Sequence, residues 1–141
     1  TPNVLTLRAE MVRLRKVLQA TAPELVPESR PYRLGVPLET DAHNVLSLLD
    51  RGAHRVALSS YRGPVLPEST APGVEEMREG IRAALRDAML TEASIDVLLA
   101  YADIPEGADD EEVLRLCLEM LPARSPRRTG LVSRIEKLQR D

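Results

Sequence analysis

The sequence predicts a mainly α protein, with an N-terminal helix and a short β-hairpin followed by an antiparallel, tetratricopeptide-like array of helices. Apolar residues recur at helical spacing over most of the 141 residues. The core must be aliphatic, because Phe and Trp are absent and three Tyr are the only aromatic residues. Four prolines between Thr21 and Leu38 interrupt the helical pattern near the N-terminus. Together these features favour packed helices over a β-sandwich.

The N-terminal segment predicts one amphipathic helix. Leu7, Met11, Leu14 and Leu18 share one face at helical spacing, while basic residues occupy the rest of the surface. Thr6 is expected to cap this helix. Across the proline-rich stretch that follows, residues 25–26 and 32–34 are predicted to pair as two short strands.

Beyond Gly35 the pattern is helical. Gly52, the proline-rich break after Tyr61 and Pro122 mark predicted helix ends, and Asp109 to Glu112 resemble a capping box. Met120 and Cys117 are expected to face inward with Val113 and Leu116. The predicted helices cover residues 41–50, 53–61, 72–90 and 95–102, followed by one that opens near Asp109 and one that opens at Ser125.

The charge is unevenly distributed. The net charge is −3, yet residues 1 to 34 carry six bases against three acids and the remainder is acidic. A second basic cluster lies between Arg124 and Arg140. Because a local basic face can bind a polyanion even in an acidic chain, a nucleic-acid partner is compatible with this composition.

The residue types and their spacing argue against several classes of function. The single cysteine, Cys117, cannot form an internal disulfide, and no apolar run approaches a membrane span, so we expect a cytoplasmic protein with no membrane partner. His43 and His54 lack the spacing of metal ligands, and Ser59 and Ser60 lack a nucleophile motif. We therefore expect no enzyme activity, no cofactor and no metal.

Two stretches carry a resemblance to known families. The helix TLRAEMVRLRKVL followed by PYRL resembles the recognition helix and closing wing strand of OmpR-type winged-helix DNA-binding domains. Such domains place two further helices ahead of the recognition helix, and we expect the unit to be truncated in this sequence, which starts five residues before Thr6. The YRGPVL turn and the long helix after it are similar to the helical region of actinobacterial antibiotic-regulatory activators. With SRPYRL and PEGADDEE, the order of motifs looks closest to actinobacterial regulators that carry a GAF sensor domain.

The resemblance implies a DNA-binding transcription regulator. It implies a C-terminal half of a winged-helix domain in residues 1–37 and a helical oligomerisation or interaction region in residues 38–141. Double-stranded DNA, a second copy of the chain, and RNA polymerase or a sigma factor are the partners that follow. The residues expected to contact DNA are Thr6, Arg8, Arg13, Arg15, Lys16, Arg30 and Arg33.

A second interpretation stays open at this point. The helical array would bind another protein or its own copy, and the N-terminal bases would then be incidental to function. The glutamate at position 28 stands where the resembling wings commonly carry a base, which leaves the contribution of the hairpin undecided.

Overall fold

The structure, a computed structural model, describes residues 4–141. The chain separates into two compact units, Thr1–Glu39 and Thr40–Asp141, which we call unit 1 and unit 2. Over the described residues the secondary structure consists of eight α-helices and one short 3-10 helix, with no β-strand. The helical class predicted from the sequence is therefore confirmed.

The predicted β-hairpin, and with it the partial winged helix, is wrong. Unit 1 contains α1 (Val4–Thr21), the 3-10 helix Pro23–Leu25 and a turn over residues 28–33 that we call the 28–33 turn. Its two ends, Glu28 and Arg33, form one isolated antiparallel bridge. Residues 23–25, part of which was expected in the first strand, form the 3-10 helix instead, so the bridge is not extended into a ladder.

The start of α1 also differs from the prediction. Thr6 lies inside the helix instead of capping it, because the helix already includes Val4. The only side-chain hydrogen bond recorded for a threonine of α1 is at its other end, where Thr21 donates to the carbonyl of Val17.

Unit 2 follows the predicted order of helices closely. Helices α2 and α3 are separated by Gly52, whose φ of 73° is the left-handed conformation that glycine adopts freely at a helix end. The segment Pro105–Ala108, which was not among the predicted helices, forms a further short helix. The helices are α2 (Asp41–Asp50), α3 (His54–Ser60), α4 (Pro72–Thr91), α5 (Ile95–Ala102), α6 (Pro105–Ala108), α7 (Glu111–Met120) and α8 (Arg127–Leu138).

The core of unit 2 lies where α4, α5, α7 and α8 meet. It is aliphatic as predicted, with one large aromatic residue, Tyr101, which is 1% exposed. Cys117 is buried in the same core, and this burial raises the pKa of its thiol to about 11. Met120 departs from the prediction, since its side chain is exposed on the surface of α7. The other fully buried large side chains are Leu85, Met89, Leu98, Leu114, Val45 and Val113.

Polar side chains fix the helix ends of unit 2. Thr40 caps α2 by accepting the amide of His43, and Asp110 caps α7 by accepting the amides of Glu112 and Val113. The Asp110 carboxylate also accepts a hydrogen bond from Arg86 at 2.6 Å, and this guanidinium holds the pKa of the carboxyl below its usual value. Arg86 thereby links the middle of α4 to the start of α7.

Candidate nucleic-acid interface

A basic groove lies inside unit 1, between α1 and the 28–33 turn. Its volume is about 520 Å³. Three of the arginines predicted to contact DNA line it, namely Arg8, Arg15 and Arg30. Its complete lining is Val4, Leu7, Arg8, Val12, Arg15, Ser29, Arg30, Pro31 and Tyr32. Among the residues described, none of those lining the groove is acidic.

The spacing of two arginines explains how the helix presents them together. Arg8 and Arg15 are seven residues apart, which is close to two turns of an α-helix, so both project from the same side of α1. Arg30 comes from the 28–33 turn, where its φ of 65° is the left-handed conformation that few non-glycine residues adopt. The groove is therefore formed by one regular element and one irregular element.

Arg15 joins these two elements. Its Nε donates to the carbonyl of Pro27 at 3.1 Å, and its terminal nitrogen donates to the hydroxyl of Ser29. The guanidinium also lies 5.6 Å from the centroid of the Tyr32 ring, within the range of a cation–π contact. Arg15 thus uses two of its five N–H donors to hold the turn against the helix, while its guanidinium still lines the groove.

Arg8 and Arg30 are available to a ligand. Both are exposed, and over residues 4–141 neither guanidinium has an ion pair or a side-chain hydrogen bond. A guanidinium presents its donors in a planar fork that matches two oxygens of a phosphate. Two unpaired guanidinium groups beside a third, braced one form an arrangement suited to an anionic backbone.

The remaining predicted residues do not line the groove. Arg13 pairs with Glu10 at 2.6 Å in a solvent-exposed ion pair, which contributes little to stability. Lys16 and Thr6 are exposed on α1, and Arg33 is exposed at the end of the 28–33 turn, where its backbone bonds to Glu28. The structure thus brings three of the seven predicted residues together and leaves four dispersed.

The apolar side of α1 is also exposed. No described residue of this helix is buried, and Leu7 and Leu14 of the predicted apolar stripe are 49% and 43% exposed. Val12 and Val17, which the sequence analysis did not single out, are exposed further, at 63% and 62%. Met11 and Leu18, the other two residues of the predicted stripe, are half-buried, so the stripe is only partly covered.

Sequence reasoning missed the part that Tyr32 plays in this site. The residue was predicted as part of a strand, whereas its ring lies beside Arg15 and lines the groove. No local signal could have shown this, because the contact depends on how the 28–33 turn returns toward α1.

Two kinds of feature, a cluster of metal-ligating side chains and a membrane-spanning helix, are not found in the described part of the chain. Within residues 4–141, no three His, Cys, Asp or Glu side chains gather closely enough to hold a metal ion. Across the same residues, no helix combines the length and the apolar character needed to cross a bilayer.

Comparison with known proteins finds two similarities, one over the C-terminal helices and one over nearly the whole chain. Residues 94–141, which include α5 to α8, match a family model described as the third C-terminal helical domain of YTH3-like proteins. The chain is also similar to an uncharacterized 47.3 kDa protein in the thcA 5′ region of Rhodococcus erythropolis. The two are 37% identical over 138 residues, an alignment that covers 98% of this chain and 31% of the relative.

The chain therefore spans about a third of the length of this relative. No solved structure gives a significant match.

Proposed function

We propose that the chain is a DNA-contacting segment of a larger transcription regulator. The observation that supports this most directly is the groove of unit 1, where Arg8, Arg15 and Arg30 meet with no acidic residue among those lining it. Neutralising phosphates with arginine and lysine supplies most of the sequence-independent affinity for DNA. The resemblance to actinobacterial regulators with a GAF sensor domain belongs to the same proposal.

The groove would act on the DNA backbone. Arg8 and Arg30 donate to phosphate oxygens, while Arg15 maintains the turn and adds charge. Arg13 and Lys16 lie elsewhere on α1 and contact neighbouring phosphates or base edges. Unit 2 serves for association with a second copy or with RNA polymerase, and a regulator of this kind acts in the cytoplasm.

The test is a titration of the chain with fluorescently labelled duplex DNA at several salt concentrations. We expect affinity to fall steeply as salt rises, since bound phosphates release counterions. Arg8→Gln and Arg30→Gln should each weaken binding and reduce the slope of log affinity against log salt by about 1. If Arg13 or Lys16 reads a base, its substitution by Ala costs about 1 to 3 kcal/mol on the cognate sequence only.

Matched controls come from unit 2. Arg55 and Arg127 are exposed and, over residues 4–141, neither guanidinium has an ion pair or a hydrogen bond, so Arg55→Gln and Arg127→Gln change net charge as the groove variants do. The proposal predicts that these controls leave affinity within about twofold, because long-range charge is largely screened at physiological salt. If groove and control variants lost DNA affinity equally, the loss would follow from net charge alone, and the proposal would be contradicted.

A helical self-association module is the second candidate. The exposed apolar side chains of α1, including Leu7, Leu14 and Val17, favour it, because apolar surface of this kind is commonly covered in an oligomer. Sedimentation equilibrium of the chain and of its Leu14→Glu variant tests this. A dimer that the variant dissociates, together with no measurable DNA binding by either protein, would favour this candidate over the first.

A further inference from the structure

Unit 2 contains a cleft that the proposed DNA contact does not use. It lies among the N-terminus of α2, the loop that follows α3 and the first half of α4, and has a volume of about 460 Å³. Small-molecule sites commonly have volumes of roughly 300 to 1,000 Å³. The lining residues that matter below are Asp41, Val45, Arg62, Val65, Met77 and Ile81.

The walls of this cleft are mainly apolar. Val45 of α2 and Ile81 of α4 are 2% and 3% exposed, so they belong to the buried interior of the unit, while Met77 on α4 is 45% exposed. Val65 and Leu66 contribute from the loop. An apolar ligand group that entered here would replace water against aliphatic side chains, which is the main source of affinity in such pockets.

The loop wall is held in place by one arginine. Arg78 of α4 donates to three carbonyl oxygens of the loop, those of Val65 at 2.9 Å, Leu66 at 2.5 Å and Ser69 at 3.0 Å. Leu66 has a φ of 41°, a conformation that needs such support in a residue with a side chain. The cleft is therefore preformed, which lowers the ordering cost of binding.

The charged groups of the lining differ in how far they are engaged. One carboxylate oxygen of Asp41 accepts the amide of Ala42 at 2.9 Å, and Nδ1 of His43 lies 3.0 Å from the Thr40 hydroxyl. Arg62 is exposed and, over the described range 4–141, has no hydrogen bond or ion pair. Asp41 keeps its negative charge in the first turn of α2, where the helix N-terminus favours it, so the guanidinium of Arg62 is the cationic group with which a ligand's anion could pair.

From this arrangement we propose that the cleft binds a small apolar carboxylate, with its hydrocarbon part against Val45, Met77 and Ile81 and its carboxylate on Arg62. An aliphatic or aromatic acid of about ten heavy atoms is well within the volume available. The inference does not depend on the DNA contact of unit 1, because its residues all belong to unit 2. Occupation of the cleft would make the chain responsive to an organic acid.

The experiment uses sodium octanoate as the probe and 1-octanol as its uncharged counterpart, followed by amide chemical shifts in two-dimensional NMR. We expect saturable binding of octanoate, with shifts confined to residues 40–45, 60–66 and 77–81. Arg62→Gln should weaken octanoate binding about two- to fivefold, the range of one exposed charge contact, and leave octanol binding unchanged. Met77→Trp should fill the cleft and abolish binding of both probes.

Two controls separate the cleft from general surface effects. Arg55→Gln removes another unpaired exposed arginine, and Met120→Trp enlarges another exposed methionine on a different helix. Neither should change the affinity for octanoate. Shifts that spread over α1 and other exposed apolar residues without saturation, or equal effects of Arg55→Gln and Arg62→Gln, would overturn the proposal.

Discussion

The two units differ in what holds them together. In unit 2 the helices share a core in which residues such as Leu85, Leu98 and Leu114 are completely buried. In the described part of unit 1 only Pro27 is buried, and the turn is held to α1 by the hydrogen bonds and ring contact of Arg15. Because apolar burial is the dominant source of stability, we expect unit 2 to contribute most of the free energy of unfolding, and unit 1 little.

The largest expected effect is a difference in the free energy of unfolding between two leucine variants, one in each unit. Leu114→Ala removes a side chain that is 0% exposed, and should lower the free energy of unfolding by about 2 to 5 kcal/mol. Leu14→Ala removes a side chain of α1 that is 43% exposed, and should change it by less than about 0.5 kcal/mol. Urea denaturation followed by circular dichroism measures both, and similar losses would break the comparison.

The next effect concerns two glycines. A Cβ at Gly107 would lie 2.3 Å from the carbonyl oxygen of Tyr101, and backbone cannot move aside cheaply. Gly107→Ala should therefore destabilise unit 2 by about 1 to 3 kcal/mol. Gly130 lies inside α8 with nothing near its Cβ position, so Gly130→Ala should stabilise the helix by about 0.5 to 1 kcal/mol. Thermal melts of the two variants should thus shift in opposite directions.

A smaller effect depends on pH. The hydrogen bond from Arg86 lowers the pKa of Asp110, so its ionised form stabilises the fold at pH values above the ordinary carboxyl pKa and this contribution is lost as the pH falls through the lowered value. Asp110→Asn keeps a capping side chain but removes the charge. We expect this substitution to lower the free energy of unfolding by about 1 to 2 kcal/mol at neutral pH, and by less in acid.

Denaturation at neutral pH and at acid pH checks this expectation. Asp109→Asn, at an exposed neighbouring position, serves as the control and should show no such pH dependence. A stability difference between Asp110→Asn and the parent chain that stayed constant with pH would contradict the assignment to the charge.

The smallest effect should be confined to unit 1. Arg15→Met keeps an apolar stem but removes the hydrogen bonds to Pro27 and Ser29, so the 28–33 turn loses its brace. Amide exchange at Glu28 and Arg33, which bond to each other's carbonyls, should accelerate about three- to tenfold. The free energy of global unfolding should change by less than about 0.5 kcal/mol. Arg13→Met serves as the control and should leave amide exchange at these two residues unaltered.

The helices of unit 2 could be predicted because their signals are local. Apolar spacing placed α4, while Gly52 marked the end of α2 and the acidic run from Asp109 marked the start of α7, although the capping residue is Asp110, one position later than the predicted capping box. The segment from Pro23 to Leu34 could not be predicted in the same way. Its residues suit strands, yet Pro23 opens a 3-10 helix that includes part of the expected first strand, and a single bridge between Glu28 and Arg33 results.

The candidate sites were predictable in part. The basic residues of α1 and the following turn were recognisable from charge, but the meeting of Arg8, Arg15 and Arg30 in one groove depends on tertiary structure. The cleft around Arg62 draws on three separate stretches of the chain, and the sequence analysis interpreted the turn after Tyr61 only as a connection between helices. Such sites depend on how helices and loops from separate stretches pack together. The spacing of apolar residues along one helix carries no information about that packing.

The position of Cys117 has a practical consequence. Its thiol is fully enclosed in the core and holds its proton well above neutral pH, so it lacks both the exposure and the thiolate character that alkylating reagents require. A new cysteine introduced on α1 or beside the cleft would therefore react with a maleimide dye while the native one stays silent. Either surface can be given a fluorescent reporter without first removing a residue from the interior.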